Sequence, residues 1–355
     1  IPMLPEALSN ELCSLKPKVD RLTKCVEFLL DASGSVLETK FYPAVIHSKR
    51  RFTYQEALTV IDGGASGHLE QMLHHAHDLA QKLRRARFKK GSLDLDFPES
   101  KIRLDERGRI LRIDRMENDV SHQLIEEFML LANEAVASKL MKMPGNAVYR
   151  IHEAPKDERL NEYREQVLSH HVPCGNLGRR EEIQKLLKRL SGLPIGQALK
   201  IGFLKSLTRA RYAVEPLGHF GLAKEKYTHF TSPIRRYADL IAHRVLFESV
   251  KVDAREMKRL SDHISTTERN SSDAERDSRD VKLYAFLQAQ LDSGEPQTYE
   301  ALVTDVRNFG FFVDVTALGM SGLVHLSSVQ DDFLEFDPVR LSLTGRRSGR
   351  VIRLG

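Results

Sequence analysis

The sequence predicts an α+β body followed by a small all-β module. Three observations predict it. Val26 to Ile46 and Lys101 to Ile113 read as strand pairs folded about the turn residues Asp31-Ala-Ser-Gly34 and Glu106-Arg-Gly108. Leu69 to Arg87, Val120 to Leu140 and Met257 to Leu291 read as long helices with apolar residues at helical spacing. After Gly294-Glu-Pro296 the texture changes to short strands, which places a boundary there. The expected division is one domain over residues 1–293 and a second over 297–355.

Bulk properties narrow the class. The chain has 355 residues, 41% of them apolar and 29% charged, with a net charge of +5. That is enough chain for two domains and enough apolar surface for a sizeable core. The positive excess permits nucleic-acid binding without requiring it. The 3 cysteines, Cys13, Cys25 and Cys174, are odd in number and lack metal-ligand spacing, so reduced thiols in a cytoplasmic protein are expected. No apolar run is long enough to span a membrane, no membrane partner is expected, and nothing at the start reads as a signal peptide.

The elements follow in order. Ile1 to Ser14 leads through proline-punctuated steps into a short helix capped near Ser9. The strand pair of residues 26–46 comes next, then a helix for which Thr53 or Thr59 is the cap. Gly63 and Gly64 break the pattern before the helix of Leu69 to Arg87. Gly91 to Phe97 alternates as a strand, with Leu93, Leu95 and Phe97 on one face and Asp94 and Asp96 on the other. On the helix of Val120 to Leu140, Leu124, Phe128, Leu131 and Ala135 share a face. Val148 to His152 is a short strand, and Asp157 to Ala213 reads as helices broken by loops. Its basic cluster of Arg179, Arg180, Lys185, Lys188 and Arg189 reads as a solvated helix face.

One stretch carries chemistry, His229-Phe-Thr-Ser-Pro-Ile-Arg-Arg-Tyr-Ala-Asp239 and its continuation to Leu246. Ser232 suits an N-cap and Pro233 the first helical position, so a helix is expected to start at about Pro233. Ile234, Ala238, Ile241 and Val245 recur on its core face. Arg235 and Arg236 then fall in the first turn, where the helix dipole favours anions. Two readings fit: a bound phosphate held by N–H groups and guanidinium forks, or an ordinary capped helix with solvated arginines.

The stretch resembles the signature of the RNB family, the ribonuclease II and ribonuclease R type exoribonucleases. Gly218-His-Phe-Gly-Leu222, Tyr227-Thr-His-Phe-Thr-Ser-Pro-Ile-Arg-Arg-Tyr237, Asp239 and His243-Arg244 carry the resemblance. It implies a catalytic domain with a mostly antiparallel sheet and packed helices, hydrolysing single-stranded RNA from the 3' end to nucleoside monophosphates. It also implies site residues. Arg235 matches an arginine that steadies the scissile phosphate, with Arg236 a second candidate. Tyr54 matches a tyrosine beside the cleaved bond, and Phe97 an aromatic stacked on the terminal base. Glu126 matches a carboxylate on the last sugar, and Glu275 a glutamate near the product end. Arg150 and His152 are candidates for backbone contact. Read without the resemblance, Tyr54 is equally a core-edge tyrosine, Phe97 a core residue and Glu275 a helix-surface charge.

The strands after Gly294 resemble an S1-type RNA-binding domain, a small OB-fold barrel, on Asn308-Phe-Gly-Phe-Phe-Val313 and Gly322-Leu-Val-His325. Phe309, Phe311, Phe312 and His325 would offer stacking surfaces, although alternation requires some of these aromatics to fill the interior. The barrel's final strands would lie beyond Gly355.

One departure is large. The family's metal site is an aspartate cluster, Asp-x-x-x-x-x-Asp-x-Asp-Asp, and the sequence contains none. Mg2+ is expected for the full enzyme, with its ligands upstream of Ile1, and the gene is expected to encode more at both ends. The chain alone is then expected to have little or no activity. The rival readings are a non-catalytic RNA-binding protein and one half of a complementing pair. A monomer is expected, with protein partners unspecified.

Overall fold

The first hairpin pairs β1 (Asp20–Leu30) with β2 (Val36–His47), antiparallel and in register from Asp20↔His47 to Leu29↔Glu38. Its turn is closed by Asp31, whose Oδ1 accepts the Ser33 and Ser35 N–H groups at 2.9 and 2.8 Å. Gly34 takes φ +85°, a conformation that suits a residue without a Cβ. A computed structural model describes residues 3–64, 67–95, 99–116, 118–338 and 340–355 of the chain. Two units form: Ile1–Ser92, Asn118–Glu153 and Arg209–Arg269 make the first, and Leu93–Glu117, Ala154–Thr208 and Asn270–Gly355 the second.

In the first unit, a π-helical turn over Ala7–Leu12 replaces the expected helix capped at Ser9, and Ser9 lies inside it. Helix α1 (Tyr54–Asp62) starts at a capping box in which the Thr53 hydroxyl accepts the Glu56 N–H and the Glu56 carboxylate accepts the Thr53 N–H. Helices α2 (His68–Lys89) and α3 (Val120–Leu140) follow, and α3 packs on both α1 and α2. The buried stripe of α3 runs through Leu124, Glu127, Leu130, Asn133, Ala137 and Leu140, rotated from the expected Leu124, Phe128, Leu131 and Ala135. Glu127 and Asn133 can be buried because each finds polar partners, which an apolar count cannot anticipate.

Strands β5 (Tyr149–Ile151) and β6 (Arg211–Ala213) pair antiparallel beside α3 and the later helix α7 (Tyr237–Glu248). The unit's core gathers Val136, Ala137 and Leu140 with Val148, Ile151, Tyr212, Phe230, Ala238, Ile241 and Val245. Burying each large apolar side chain of this set contributes about 2 kcal/mol. Helix α8 (Ala254–Asp292) starts in this unit, with Met257 and Ile264 in the same core.

In the second unit, β3 (Glu99–Leu104) and β4 (Ile110–Met116) form the expected hairpin. Residues 91–95 form no strand, contrary to expectation: Leu93 is buried and Asp94 exposed, but no neighbouring strand pairs with them. Asp96 lies outside the described residues. Helices α4 (Asp157–Ser169), α5 (Arg180–Leu190) and α6 (Gly196–Ser206) pack together. Strands β7 (Leu302–Arg307), β8 (Gly310–Val315) and β9 (Met320–His325) make one antiparallel sheet. Strands β10 (Leu334–Asp337), β11 (Ser342–Gly345) and β12 (Val351–Ile352) make another. Cations on the distal half of α8 grip two hairpin turns. Lys282 Nζ donates to the Gly108 carbonyl at 2.8 Å and Arg279 Nη2 to the Gly319 carbonyl at 3.0 Å.

Candidate functional site

Helix α7 begins at Tyr237, not at Pro233, and Ser232 is not its cap. Pro233 to Arg235 instead form a turn in which the Ser232 carbonyl accepts the Arg235 and Arg236 N–H groups at 3.3 and 3.1 Å. The reason lies at Asp239, in the first turn of α7 and fully buried. Its carboxylate accepts the Ser232 N–H at 2.7 Å and the Arg236 guanidinium through Nε and Nη2 at 2.8 and 2.9 Å. The pair folds the segment before α7 back on itself. Asp239 also supplies the negative charge that the helix N-terminus favours.

The arginines therefore differ. Arg236 is committed to Asp239, whereas Arg235 is exposed and has no ion-pair partner among the described residues. Arg150 is committed as well: Nη1 reaches Glu268 at 2.6 Å and the guanidinium lies 4.7 Å over the Tyr212 ring. Lys224 pairs with Glu134. Of these four cations, three already hold a carboxylate.

Beneath the turn lies a ladder of rings. His152 meets His219 edge-on at 5.0 Å, His219 meets Tyr227 at 5.4 Å, and Tyr227 meets His229 at 5.8 Å. His229 Nδ1 is 2.8 Å from the Tyr212 hydroxyl. Burial, reinforced by Arg236 and Arg150, pushes the His229 ring down to about 2. Burial and His152 push His219 down to about 3. Both rings are neutral at ordinary pH, with His229 bonded to Tyr212 and the His219 Nδ1 accepting the Leu222 N–H at 3.3 Å. The predicted site residue His152 is buried here; its Nδ1 accepts the Gly221 N–H at 3.1 Å, which pins the 218–224 loop. Gly218 permits that loop: its φ is +79°, and a Cβ would meet the Lys224 carbonyl oxygen at 2.9 Å.

Helix α3 is the spine on which these parts meet. Asn133 donates to the Tyr227 hydroxyl at 3.0 Å and accepts the Phe230 N–H at 3.0 Å. At the other end, Asp119 caps the helix and its carboxylate lies 3.0 Å from His122 Nδ1. The Tyr54 ring stacks on His122 with centroids 3.8 Å apart and 14° between planes. Glu126 stands one turn further along, half-buried, with Arg87 Nη2 3.5 Å away. Glu127 is buried and takes the Arg87 Nε at 3.1 and 3.2 Å. So α3 brings the predicted Tyr54 and Glu126 to one helix end. Asn133, His122 and the Arg87–Glu127 pair escaped the sequence reading. The one available signal was polar residues on an otherwise apolar stripe.

The remaining predicted residues belong to the second unit or fall outside the description. Phe97 lies outside the described residues. Glu275 is exposed on α8 and lines a cavity of about 420 Å³ with Ser272, Arg276, Arg279 and Ser321. In the turn before β8, Phe309 is exposed and meets Phe312 edge-on at 6.3 Å. Gly310 pairs with His325 and Phe312 with Leu323, so Phe312 and His325 share a face. Phe311 turns the other way and packs on Val306, Leu334 and Leu343, which makes it core and not a stacking surface. Among the described residues, no group of three or more His, Cys, Asp or Glu side chains is placed to hold a metal ion. No described helix is long and apolar enough to cross a membrane.

Comparison with known proteins adds three findings. The RNB domain profile matches residues 1–251, and that of the S1 RNA binding domain matches residues 294–355. Ribonuclease R of Thermotoga maritima is 36% identical over 100% of this chain and 52% of its own length; that of Escherichia coli is 35% identical over 100% and 46%. The chain thus spans about half the length of the curated relatives it matches. The solved structure of Mycoplasma genitalium RNase R in complex with ribose methylated single-stranded RNA superposes with a TM-score of 0.88 at 30% identity, covering 100% of this chain and 57% of that one.

Proposed function

The chain belongs to the RNB domain family, and from that premise we propose that it forms the RNA-handling part of a 3'→5' exoribonuclease of the ribonuclease R type. It acts on single-stranded RNA and releases nucleoside monophosphates. Residues 1–293 form part of the catalytic domain and 297–355 an S1-type domain. The observation that carries the reading is Arg235. An exposed guanidinium without a carboxylate, on a turn braced by the Arg236–Asp239 pair, is pre-placed for a phosphate. Charge develops on the phosphoryl oxygens during hydrolysis, and a fixed cation there lowers the barrier without reorganising.

The other roles fit the same substrate. Tyr54 lies beside the cleaved bond and Glu126 accepts the 2'-OH of the last sugar, which distinguishes RNA from DNA. Phe97 stacks on the terminal base, Glu275 acts near the product end, and Phe309, Phe312 and His325 hold RNA further along. Nucleases of this family are in general metal-dependent. The described residues do not fit a metal centre, so we assign the metal, Mg2+, to aspartates other than these. A cytoplasmic location accords with three free cysteines.

The test uses 5'-labelled single-stranded RNA with magnesium, a sequencing gel and a parallel binding measurement. This chain alone is expected to bind RNA without shortening it, and a full-length form to shorten it stepwise from the 3' end. Absence of RNA binding overturns the reading. Stepwise shortening by this chain alone overturns the assignment of the metal to other residues.

A further inference from the structure

The second unit carries an arginine turn that the reading above does not use. Residues 345–350, Gly-Arg-Arg-Ser-Gly-Arg, connect β11 to β12. Their backbone is satisfied without any arginine side chain. Gly345 N–H donates to the Arg350 carbonyl at 2.8 Å and Gly349 N–H to the Gly345 carbonyl at 3.0 Å. Arg346 N–H donates to the Phe333 carbonyl at 3.0 Å. The Asp332 carboxylate accepts the Phe333, Arg347 and Ser348 N–H groups at 2.8, 3.0 and 2.9 Å. These bonds, with the Ser348 hydroxyl, hold that carboxyl far below the usual carboxylate range. One carboxylate therefore shapes the whole turn.

The turn displays side chains that the fold does not consume. Arg347 and Arg350 are exposed and have no side-chain partner among the described residues. Arg346 lies 4.9 Å over the ring of Phe333, which is 66% exposed, and its Nε reaches Glu335 at 3.3 Å. A large exposed ring beside planar guanidinium forks on a rigid turn has a specific chemical complement. The forks match phosphate oxygens, and the ring's open surface matches a nucleobase. Glu335 neutralises part of Arg346, which leaves Arg347 and Arg350 as the phosphate ligands.

We propose that Phe333, Arg347 and Arg350 form a second RNA contact of the S1-type domain, on the β10-β11-β12 sheet, which takes one stacked base and its flanking phosphates of a single strand. The proposal rests on the RNA-binding reading of this domain and adds a site to that of Phe309, Phe312 and His325. The preformed turn loses little entropy on binding, which is where an exposed arginine site otherwise loses affinity.

The test is fluorescence anisotropy of the 355-residue chain with labelled oligoadenylate over a salt series. For single strands the slope of log affinity against log salt is about 0.7 per phosphate contacted. Arg347→Gln/Arg350→Gln is expected to weaken binding at least tenfold at low salt and to reduce the slope by about 1.4. Phe333→Ala is expected to weaken it about fivefold or more with the slope unchanged. Lys258→Gln/Arg259→Gln, which removes the same charge from α8, is expected to keep the wild-type slope. Wild-type affinity and slope in the Arg347/Arg350 variant overturn the proposal, as does an unchanged affinity in Phe333→Ala. Phe309→Ala/Phe312→Ala in the same assay separates the two failures: if it weakens binding while the turn variants do not, the domain binds RNA and the turn is not part of it.

Discussion

The Arg236 guanidinium holds the buried Asp239 carboxylate through two bonds of 2.8 and 2.9 Å, and this pair decides what its neighbour Arg235 can do. Asp239 also accepts the Ser232 N–H, so one carboxylate fixes the turn, the helix start and one of two adjacent arginines. Arg235 is left exposed at the tip of the braced turn.

Arg235 and Asp239 should therefore separate cleanly by mutation. Arg235→Ala is expected to change stability by no more than about 0.5 kcal/mol, because the side chain is exposed and unpaired. In an active, full-length form it should cut turnover sharply while RNA affinity stays nearly intact, read from single-turnover rates and Kd. Asp239→Asn breaks a buried pair and is expected to cost about 3 kcal/mol in urea unfolding. Binding that falls as far as rate in Arg235→Ala would remove the transition-state role.

Glu126 and Glu127 make the same division on α3. Glu127→Gln removes the carboxylate bonded to the buried Arg87 and leaves that guanidinium only the longer Glu126 contact at 3.5 Å, so it is expected to cost about 3 kcal/mol. Glu126→Gln, at a half-buried position, should stay within about 0.5 kcal/mol of wild type yet narrow the preference for RNA over DNA in an active, full-length form. Equal RNA and DNA effects of Glu126→Gln would exclude the sugar contact.

Asn133 bonds both Tyr227 and the Phe230 backbone, so Asn133→Ala strands two buried groups. Each unsatisfied group costs about 1–3 kcal/mol. Adding Tyr227→Phe removes one of them, so the double variant should lose less than the sum of the single losses. A double-mutant cycle in urea measures the coupling, and strict additivity would contradict the bond.

The histidine ladder predicts a stability profile. The unfolded chain protonates His219 and His229 near pH 6.5, whereas the folded chain holds them neutral down to about 3 and about 2. Their contribution is fully present above about pH 6.5 and is lost as pH falls below it, by roughly 1 kcal/mol per ring per pH unit. Urea midpoints measured from pH 7.5 to 5 should fall accordingly, and the slope should be shallower in His229→Gln. An unchanged slope would mean that the ring titrates normally in the fold.

Much of this protein was legible in its residues. Apolar spacing gave α3 to its terminal residues, Val120 and Leu140, and placed Ala238, Ile241 and Val245 in a core, because burial on one helix face imposes a period on the chain. Thr53, one of the two cap candidates with Thr59, does start α1. The long match around Arg235 identified the family before any coordinate.

What only the tertiary structure decided is which polar groups are already taken. Ser232-Pro233 reads locally as a helix start, but Asp239 reclaims that backbone and moves the start to Tyr237. Arg235 and Arg236 are the same residue type side by side, and Phe311 and Phe312 are too. A partner three residues or one strand away makes one of each pair structural and leaves the other exposed or on the open face of its sheet. Periodicity records which face is buried, because burial acts on every residue of the face. Pairing is a contact between individual atoms brought together by the fold, and the spacing along the chain carries no record of it.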